Sequence, residues 1–322
     1  MAARQPTDPQ ETSLLEASTR FNLVRSIDKN FRLLTLGLAI SVGAILIWIA
    51  YSLLEIALPA IQAFGWGFLF DSTWDPVKNI YGALPHVYGT VMSSLLALIF
   101  AVPLGVGVAI FLTENFLEQK ILQPIAFTIE LLAAVPSVVY GLWGLFVFLP
   151  AIKPLLQALN HNFGWIPFFS TEPGGRQLFG ASLVLAIMIL PTIIAISRDT
   201  LTSLPPKLRQ GAYGLGATRW ETIMRVLLPA ALSGIIGSIM LALGRALGET
   251  MALTMLVGNA NQVNISWLAP ASTLSSLIAN QFGEASGLQK SSLFYEALIL
   301  MMLTLLVNVL AQALVSRFQQ VE

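Results

Sequence analysis

Six apolar stretches limit what this chain can fold into. They fall near residues 33–54, 88–112, 124–149, 178–196, 230–257 and 293–315. Crossing the ~30 Å hydrocarbon core of a bilayer takes about 20 helical residues at 1.5 Å each, and all six runs are long enough for that. They lack the ten-residue alternation of membrane barrel strands, so helices are expected. Composition agrees: 56% of the 322 residues are hydrophobic and 11% charged, against about 25% charged in a soluble domain. Such a chain cannot cover itself with water-compatible surface.

Several function classes drop out. A formal net charge of zero argues against a nucleic-acid partner. The absence of cysteine removes disulfides, thiolate nucleophiles, iron–sulfur clusters and cysteine-based zinc sites. His86 and His161 are too isolated for a metal site and are expected in extramembrane loops or at an interface. The string GEASGLQKS at 283–291 lacks the Gly-Lys step of a phosphate-binding loop, so the chain does not cradle ATP by itself. There is no His-Glu-x-x-His and no Gly-x-Ser-x-Gly, and the carboxylates are too scattered for an acid–base pair. No catalytic residue, metal or cofactor is expected.

Lys and Arg set the orientation. With the N-terminus inside, twelve of them fall on the inner side and four (Lys78, Lys153, Arg176 and Lys290) on the outer. The positive-inside rule then puts both termini in the cytoplasm. The first apolar run follows a long polar leader and is a full span, so it reads as an uncleaved anchor rather than a signal peptide. Residues 1–20 are polar and expected to be mobile. The outer segments FGWGFLFDSTWDPVKNIYGALP and HNFGWIPFFSTEPGG are rich in aromatic residues. Those aromatics suit interfacial anchoring, with a docking surface for an extracytoplasmic partner as the alternative.

The inner segment QGAYGLGATRWETIMRVLLP, residues 210–229, reads as the core of a helical hairpin. Ser203 is expected to cap a helix with Pro205 and Pro206 in its first turn. Leu204, Leu208, Ala212 and Leu215 give that helix one apolar face, and Gly214 and Gly216 end it. Thr218 then caps a second helix, and Glu221 completes a capping box. Trp220, Ile223, Met224, Leu227 and Leu228 line one side, and Pro229 marks the return to the membrane. An amphipathic loop lying on headgroups is the plain alternative. Two capped helices folded at a glycine hinge exceed what a passive connector needs and suit a docking element for a cytoplasmic partner.

The fifth apolar stretch contains Arg245 and Glu249. A charge at such depth costs from ~3 to well over 10 kcal/mol, so both are expected to face the bundle interior, as a structural ion pair or as a pathway. Their i, i+4 spacing puts them on one helix face. A guanidinium matches phosphate oxygens, and Glu249 would hold it between substrates. Gly244 and Gly248 allow close backbone approach, and Thr250 and Thr254 add hydroxyls. Glu130 and Glu296 are expected near the inner and outer interfaces. Ser137 is expected to satisfy backbone opened by Pro136.

The pattern Gln210-Gly211-Ala212, Gly216-Ala217 and Leu228-Pro229 resembles the EAA loop of binding-protein-dependent ABC importer permeases. LLAAVPSVVYGLWGLFVFLP at 131–150, WDP at 74–76, VPLGVGVAIFLTE at 102–114 and GRALGETMALTMLVGN at 244–259 extend the likeness. From about residue 31 to its end the chain is similar to the permeases of phosphate-specific (Pst-type) importers. It departs at Gln210, where Glu is usual, and at Gly211, where Ala is usual.

The resemblance implies an all-α, polytopic inner-membrane protein with six transmembrane helices and the type I ABC importer permease fold, working by alternating access. It implies a heterodimer with a sister permease, two cytoplasmic ATPase subunits, an extracytoplasmic phosphate-binding protein, and surrounding lipid. Gln210, Gly211, Ala212, Gly216, Ala217, Thr218 and Glu221 then couple to the ATPase, and Arg245, Glu249 and Thr250 line the path of inorganic phosphate. The layout is a cytoplasmic tail at 1–32, the first span and outer loop at 33–87, the transport core at 88–315 with its coupling loop at 198–229, and a cytoplasmic tail at 316–322. Two alternatives stay open: a permease for another oxyanion such as sulfate or molybdate, and a self-sufficient secondary transporter. The latter should show inverted repeats or broken helices in matching halves, and neither is legible.

Overall fold

The computed structural model describes residues 9–114 and 116–319, with side chains over 28–313 apart from 115 and 119. The chain divides into two compact units, residues 1–55 and 56–322. The first unit consists of the N-terminal part of helix α1 (Pro9–Phe64). Its apolar side chains are exposed on every side, Ile47 at 73% and Trp48 at 69% among them. A helix apolar all round has to be covered by lipid or by another apolar surface. The polar leader is helical from Pro9 onward rather than an irregular tail. The expectation of mobility for its first eight residues lies outside the described residues.

The second unit continues through a tight turn at Gly65–Leu69 to a small hairpin. Strands β1 (Trp74–Asp75) and β2 (Ile80–Tyr81) pair antiparallel, Trp74 opposite Tyr81. The Asp75 carboxylate accepts the N–H groups of Lys78 at 3.2 Å and Val77 at 3.0 Å. These bonds, that of Lys78 foremost, hold its carboxyl below the usual carboxylate range. Among the described residues ten α-helices follow: α2 (Leu84–Thr113), α3 (Gln119–Ala133), α4 (Ser137–Phe163), α5 (Leu178–Ser203), α6 (Pro206–Gly214), α7 (Arg219–Ala230), α8 (Leu232–Leu247), α9 (Met251–Leu256), α10 (Leu274–Gln281) and α11 (Gly287–Gln319). One turn of α4, Gly144–Phe148, and one of α7, Ile223–Leu227, are wound as π-turns.

Among the described residues five helices are long and apolar enough to cross a membrane, or six if α7 and α8, bent by 68°, count as one span. Two expected spans are broken. The run at 124–149 stops at Ala133 and restarts at Ser137. Pro136 causes the stop, because proline bars the preceding residue from helical geometry. At the break the Leu132 carbonyl accepts the Val135 N–H at 3.4 Å and the Tyr140 hydroxyl at 2.9 Å; Ser137 is instead the first residue of α4. The run at 230–257 is divided at Ala231 and again at Gly248–Thr250. Broken helices, which the sequence did not reveal, are therefore present.

The core of this unit is the packing of α2 on α5. A Cβ on Gly105 would stand 2.7 Å from Ile193 Cγ2, so only glycine lets the two backbones come this close. Leu96, Ala97 and Ala101 pack with Val184, Leu185, Met188 and Ile189, joined by Ala242 and Ala246 of α8 and by Leu253 and Leu256 of α9. Trp66 and Trp165 are exposed, as interfacial anchors would be, but Phe68, Trp74 and Tyr81 are buried in a second cluster. His86 lies in α2, fully buried, rather than in a loop or at an interface. Its Nδ1 sits 2.7 Å from Glu296 Oε1 of α11 and its Nε2 3.2 Å from Asn261 Oδ1. Glu296 is equally buried instead of reaching an interface. A charge removed from water needs such a partner.

Candidate substrate path and coupling hairpin

The hairpin begins where α5 ends. The Ser203 hydroxyl donates back to the Thr200 carbonyl at 2.8 Å, so it closes α5 rather than capping α6. Pro205 takes the cap position and Pro206 the first turn, where no N–H is needed. At the other end the Gly216 N–H reaches the Tyr213 carbonyl at 3.0 Å, and the Ala217 N–H reaches Ala212 at 3.1 Å. This is a Schellman closure, and it requires the left-handed backbone that Gly216 adopts at φ +84°. Thr218 and Glu221 form the expected capping box. Thr218 Oγ1 accepts the Glu221 N–H at 3.3 Å, and Glu221 Oε2 accepts the Thr218 N–H at 2.9 Å.

The apolar faces of the hairpin are split. Ala212, Ile223 and Leu227 are buried. Ile223 and Leu227 pack with Ala109 of α2, Leu201 of α5 and Ile235 of α8. Leu215 at 91%, Trp220 at 63% and Met224 at 39% remain exposed, with Leu208 and Tyr213, so the single continuous faces expected for each helix are corrected. The apolar arc is wider than the stripe this chain can cover, and the remainder forms an uncovered patch. Gln210 and Gly211 are exposed, and a Cβ on Gly211 would meet nothing within 4 Å. Glu130 of α3 pairs with Arg198 of α5 at 3.2 Å.

Arg245, half-buried on α8, lines a recess of about 520 Å³ together with Thr192 of α5, Met240, Leu241, Gly244 and Asn308 of α11. Its Nη1 donates to Thr192 Oγ1 at 3.3 Å. No carboxylate is among the lining residues. Glu249 does not share the helix face of Arg245: α8 ends at Leu247 with Gly248 as its cap, so helical spacing is lost between the two. The Glu249 carboxylate instead accepts the Ala252 N–H at 3.2 Å, fixing the start of α9. Among the described residues no ion pair joins it to Arg245. The Thr250 hydroxyl donates to the Gly248 carbonyl at 3.2 Å in the same break.

Sequence reasoning missed Thr192 and Asn308. Asn308 is a lone amide in the apolar run LLVNVLA. That isolation was the available signal, since an amide in a span needs a partner. It lies close to α8 at Gly244, where a Cβ would stand in ordinary contact at 3.6 Å from Asn308 Oδ1. The arrangement offers hydrogen-bond donors and one positive charge from three helices to an anion in the recess.

Comparisons agree with this architecture. Residues 101–320 match the family described as binding-protein-dependent transport system inner membrane component. The phosphate transport system permease protein PstC of Haemophilus influenzae is 45% identical over 302 residues, covering 91% of this chain and 95% of that protein. Its namesake in Mesorhizobium japonicum is 43% identical over 324 residues, 98% of each. Among solved structures, the inward-facing MetNI methionine ABC transporter aligns with TM-score 0.57 at 15% identity, over 76% of this chain and 99% of that one. A bacterial ABC transporter that imports alginate aligns with TM-score 0.51 at 16% identity, over 84% and 96%. At such identities these two show a shared fold. The chain belongs to the binding-protein-dependent transport system inner membrane component family, as an inner-membrane protein with the type I ABC importer permease fold, in the branch of the phosphate transport system permeases.

Proposed function

We propose that this chain forms half of the translocation path of an ATP-driven importer of inorganic phosphate, with a sister permease as the other half. The carrying observation is the Arg245 recess, where a guanidinium held by a neutral hydroxyl faces a space without carboxylates. A planar fork of donors suits a tetrahedral oxyanion, and the named activity of the relatives favours phosphate over sulfate or molybdate. Thr250 and Glu249 border the path at the α8–α9 break. Affinity at Arg245 is kept weak, because conduction needs release, and tight capture belongs to an extracytoplasmic phosphate-binding protein.

The excess of Lys and Arg on one side puts the hairpin in the cytoplasm. Its uncovered patch of Leu215, Trp220 and Tyr213 fits a cleft on one of two ATPase subunits, with Gln210, Gly211, Ala212, Gly216, Ala217, Thr218 and Glu221 shaping it. ATP binding draws the ATPases together, and the hairpin passes that movement to the spans. The path then opens outward to receive phosphate, and hydrolysis returns it inward.

The test is phosphate uptake by the reconstituted complex carrying Arg245→Gln, with co-purification of all subunits as the control. Uptake is expected to fall by more than about tenfold in an assembled complex, the loss of a charge-assisted contact of roughly 1.5–3 kcal/mol. Near-normal uptake removes Arg245 from the path. A second reading, a self-sufficient secondary transporter, draws on the broken helices around 134–136 and 248–250. Phosphate transport by liposomes containing this chain alone would favour that reading.

A further inference from the structure

We infer that Glu114 and Arg209 are positioning residues, forming the joint through which the coupling hairpin drives α2. The inference rests on the hairpin's role as the ATPase lever. The hairpin is continuous in chain with α5 and α8, whereas among the described residues it meets α2 through side chains. Glu114 follows the last residue of α2 and is 5% exposed. A carboxylate there lies at the negative end of the helix dipole and away from water, so it stays only if a cation holds it.

Arg209 of α6 is that cation. Its Nε at 3.1 Å and Nη2 at 2.8 Å both donate to Glu114 Oε1, and Nη2 also donates to the Leu201 carbonyl of α5 at 3.0 Å. One guanidinium therefore binds the hairpin to the ends of two spans. A second contact lies beside it: Arg219 of α7 stands 4.6 Å over the ring of Phe116, which stacks on Phe111 of α2. Both helices of the hairpin grip the same end of α2. The apolar packing of Ile223 and Leu227 near Ala109 is non-directional. The forked charge contact fixes direction and register, which a lever needs. The 30-residue α2 is about 45 Å long, and near its opposite end His86 fastens it to Glu296 and Asn261. Movement entering at Glu114 is carried to that lock.

The test uses the complete importer in proteoliposomes with its phosphate-binding protein. Glu114→Gln, Arg209→Gln and the exchange Glu114→Arg with Arg209→Glu are compared for subunit co-purification, ATP hydrolysis and phosphate taken up per ATP. The single variants are expected to assemble and hydrolyse ATP while phosphate per ATP falls about tenfold, within the range that coupling residues command. The exchange is expected to restore most of it. An unchanged ratio in the single variants, or no recovery in the exchange, overturns the joint. Should the single variants fail to assemble, Arg209→Lys keeps the charge without the fork; a lowered ratio there supports the joint and an unchanged one overturns it. Absence of any ATPase in wild-type preparations would instead sink the lever reading itself, and the inference with it.

Discussion

Arg245 of α8 leans on Thr192 of α5, Nη1 to Oγ1 at 3.3 Å, and not on Glu249 four residues further along its own chain. The guanidinium is steered by a neutral group on a neighbouring span, so its charge is not cancelled within the recess.

Thr192→Val removes that steering while keeping the volume. Phosphate uptake by the reconstituted complex is expected to drop several-fold, in line with roughly 0.5–1.5 kcal/mol for one hydrogen bond, with subunit assembly unchanged. Initial uptake rates measure it. An unaltered rate would mean that the threonine does not orient the arginine.

Two glycines in the hairpin should respond in opposite senses to alanine. Gly216→Ala forces a side chain into the left-handed region at φ +84° and is expected to cost about 1–2 kcal/mol. Gly211→Ala lies inside α6 with open space at Cβ and is expected to firm that helix by up to ~1 kcal/mol. Amide hydrogen exchange across 206–216 reads both. Faster exchange in Gly211→Ala would contradict the helix drawn there.

Thr218→Ala removes the Oγ1 hydroxyl, which both accepts the Glu221 N–H and donates to Glu221 Oε2. Loss of such a cap is expected to cost about 1 kcal/mol, read as increased exchange confined to 219–223. Loosening that spread through α8 instead would show that the box holds more than its own turn.

His86 and Glu296 form a buried pair between α2 and α11. Removing either partner alone, as His86→Leu or Glu296→Met, is expected to destabilise the detergent-purified protein by roughly 3–5 kcal/mol. The double change His86→Leu with Glu296→Met should recover much of that, because no lone buried charge remains. Denaturation midpoints of all four proteins close the cycle. Additive losses would show that the two do not act as a unit.

Part of this was legible from residue order. Gly216 and the Thr218–Glu221 box act through local backbone chemistry and were readable from their spacing. The apolar runs at 88–112 and 178–196 gave α2 and α5, whose interiors hold no break. The run at 124–149 gave a displaced span, Ser137–Phe163, because Pro136 divides it and hydropathy does not register a missing turn. The i, i+4 spacing puts Glu249 on the face of Arg245 only in an unbroken helix, and Gly248 ends this one. Glu114 and Arg209 are 95 positions apart, as Thr192 is 53 from Arg245. Pairs of that separation exist only after the fold brings them together. Trp220 and Met224 misled for another reason: an apolar residue can be reserved for a different molecule.

The π-turns at 144–148 and 223–227 carry a practical lesson for labelling studies. Each admits one surplus residue, which swings everything beyond it by about 100° relative to an unbroken spiral. A cysteine scan plotted on an ideal wheel would assign oil-facing and inward positions after Phe148 to the wrong sides. Resetting the phase at that point is what makes reactivity patterns along the remainder of α4 interpretable.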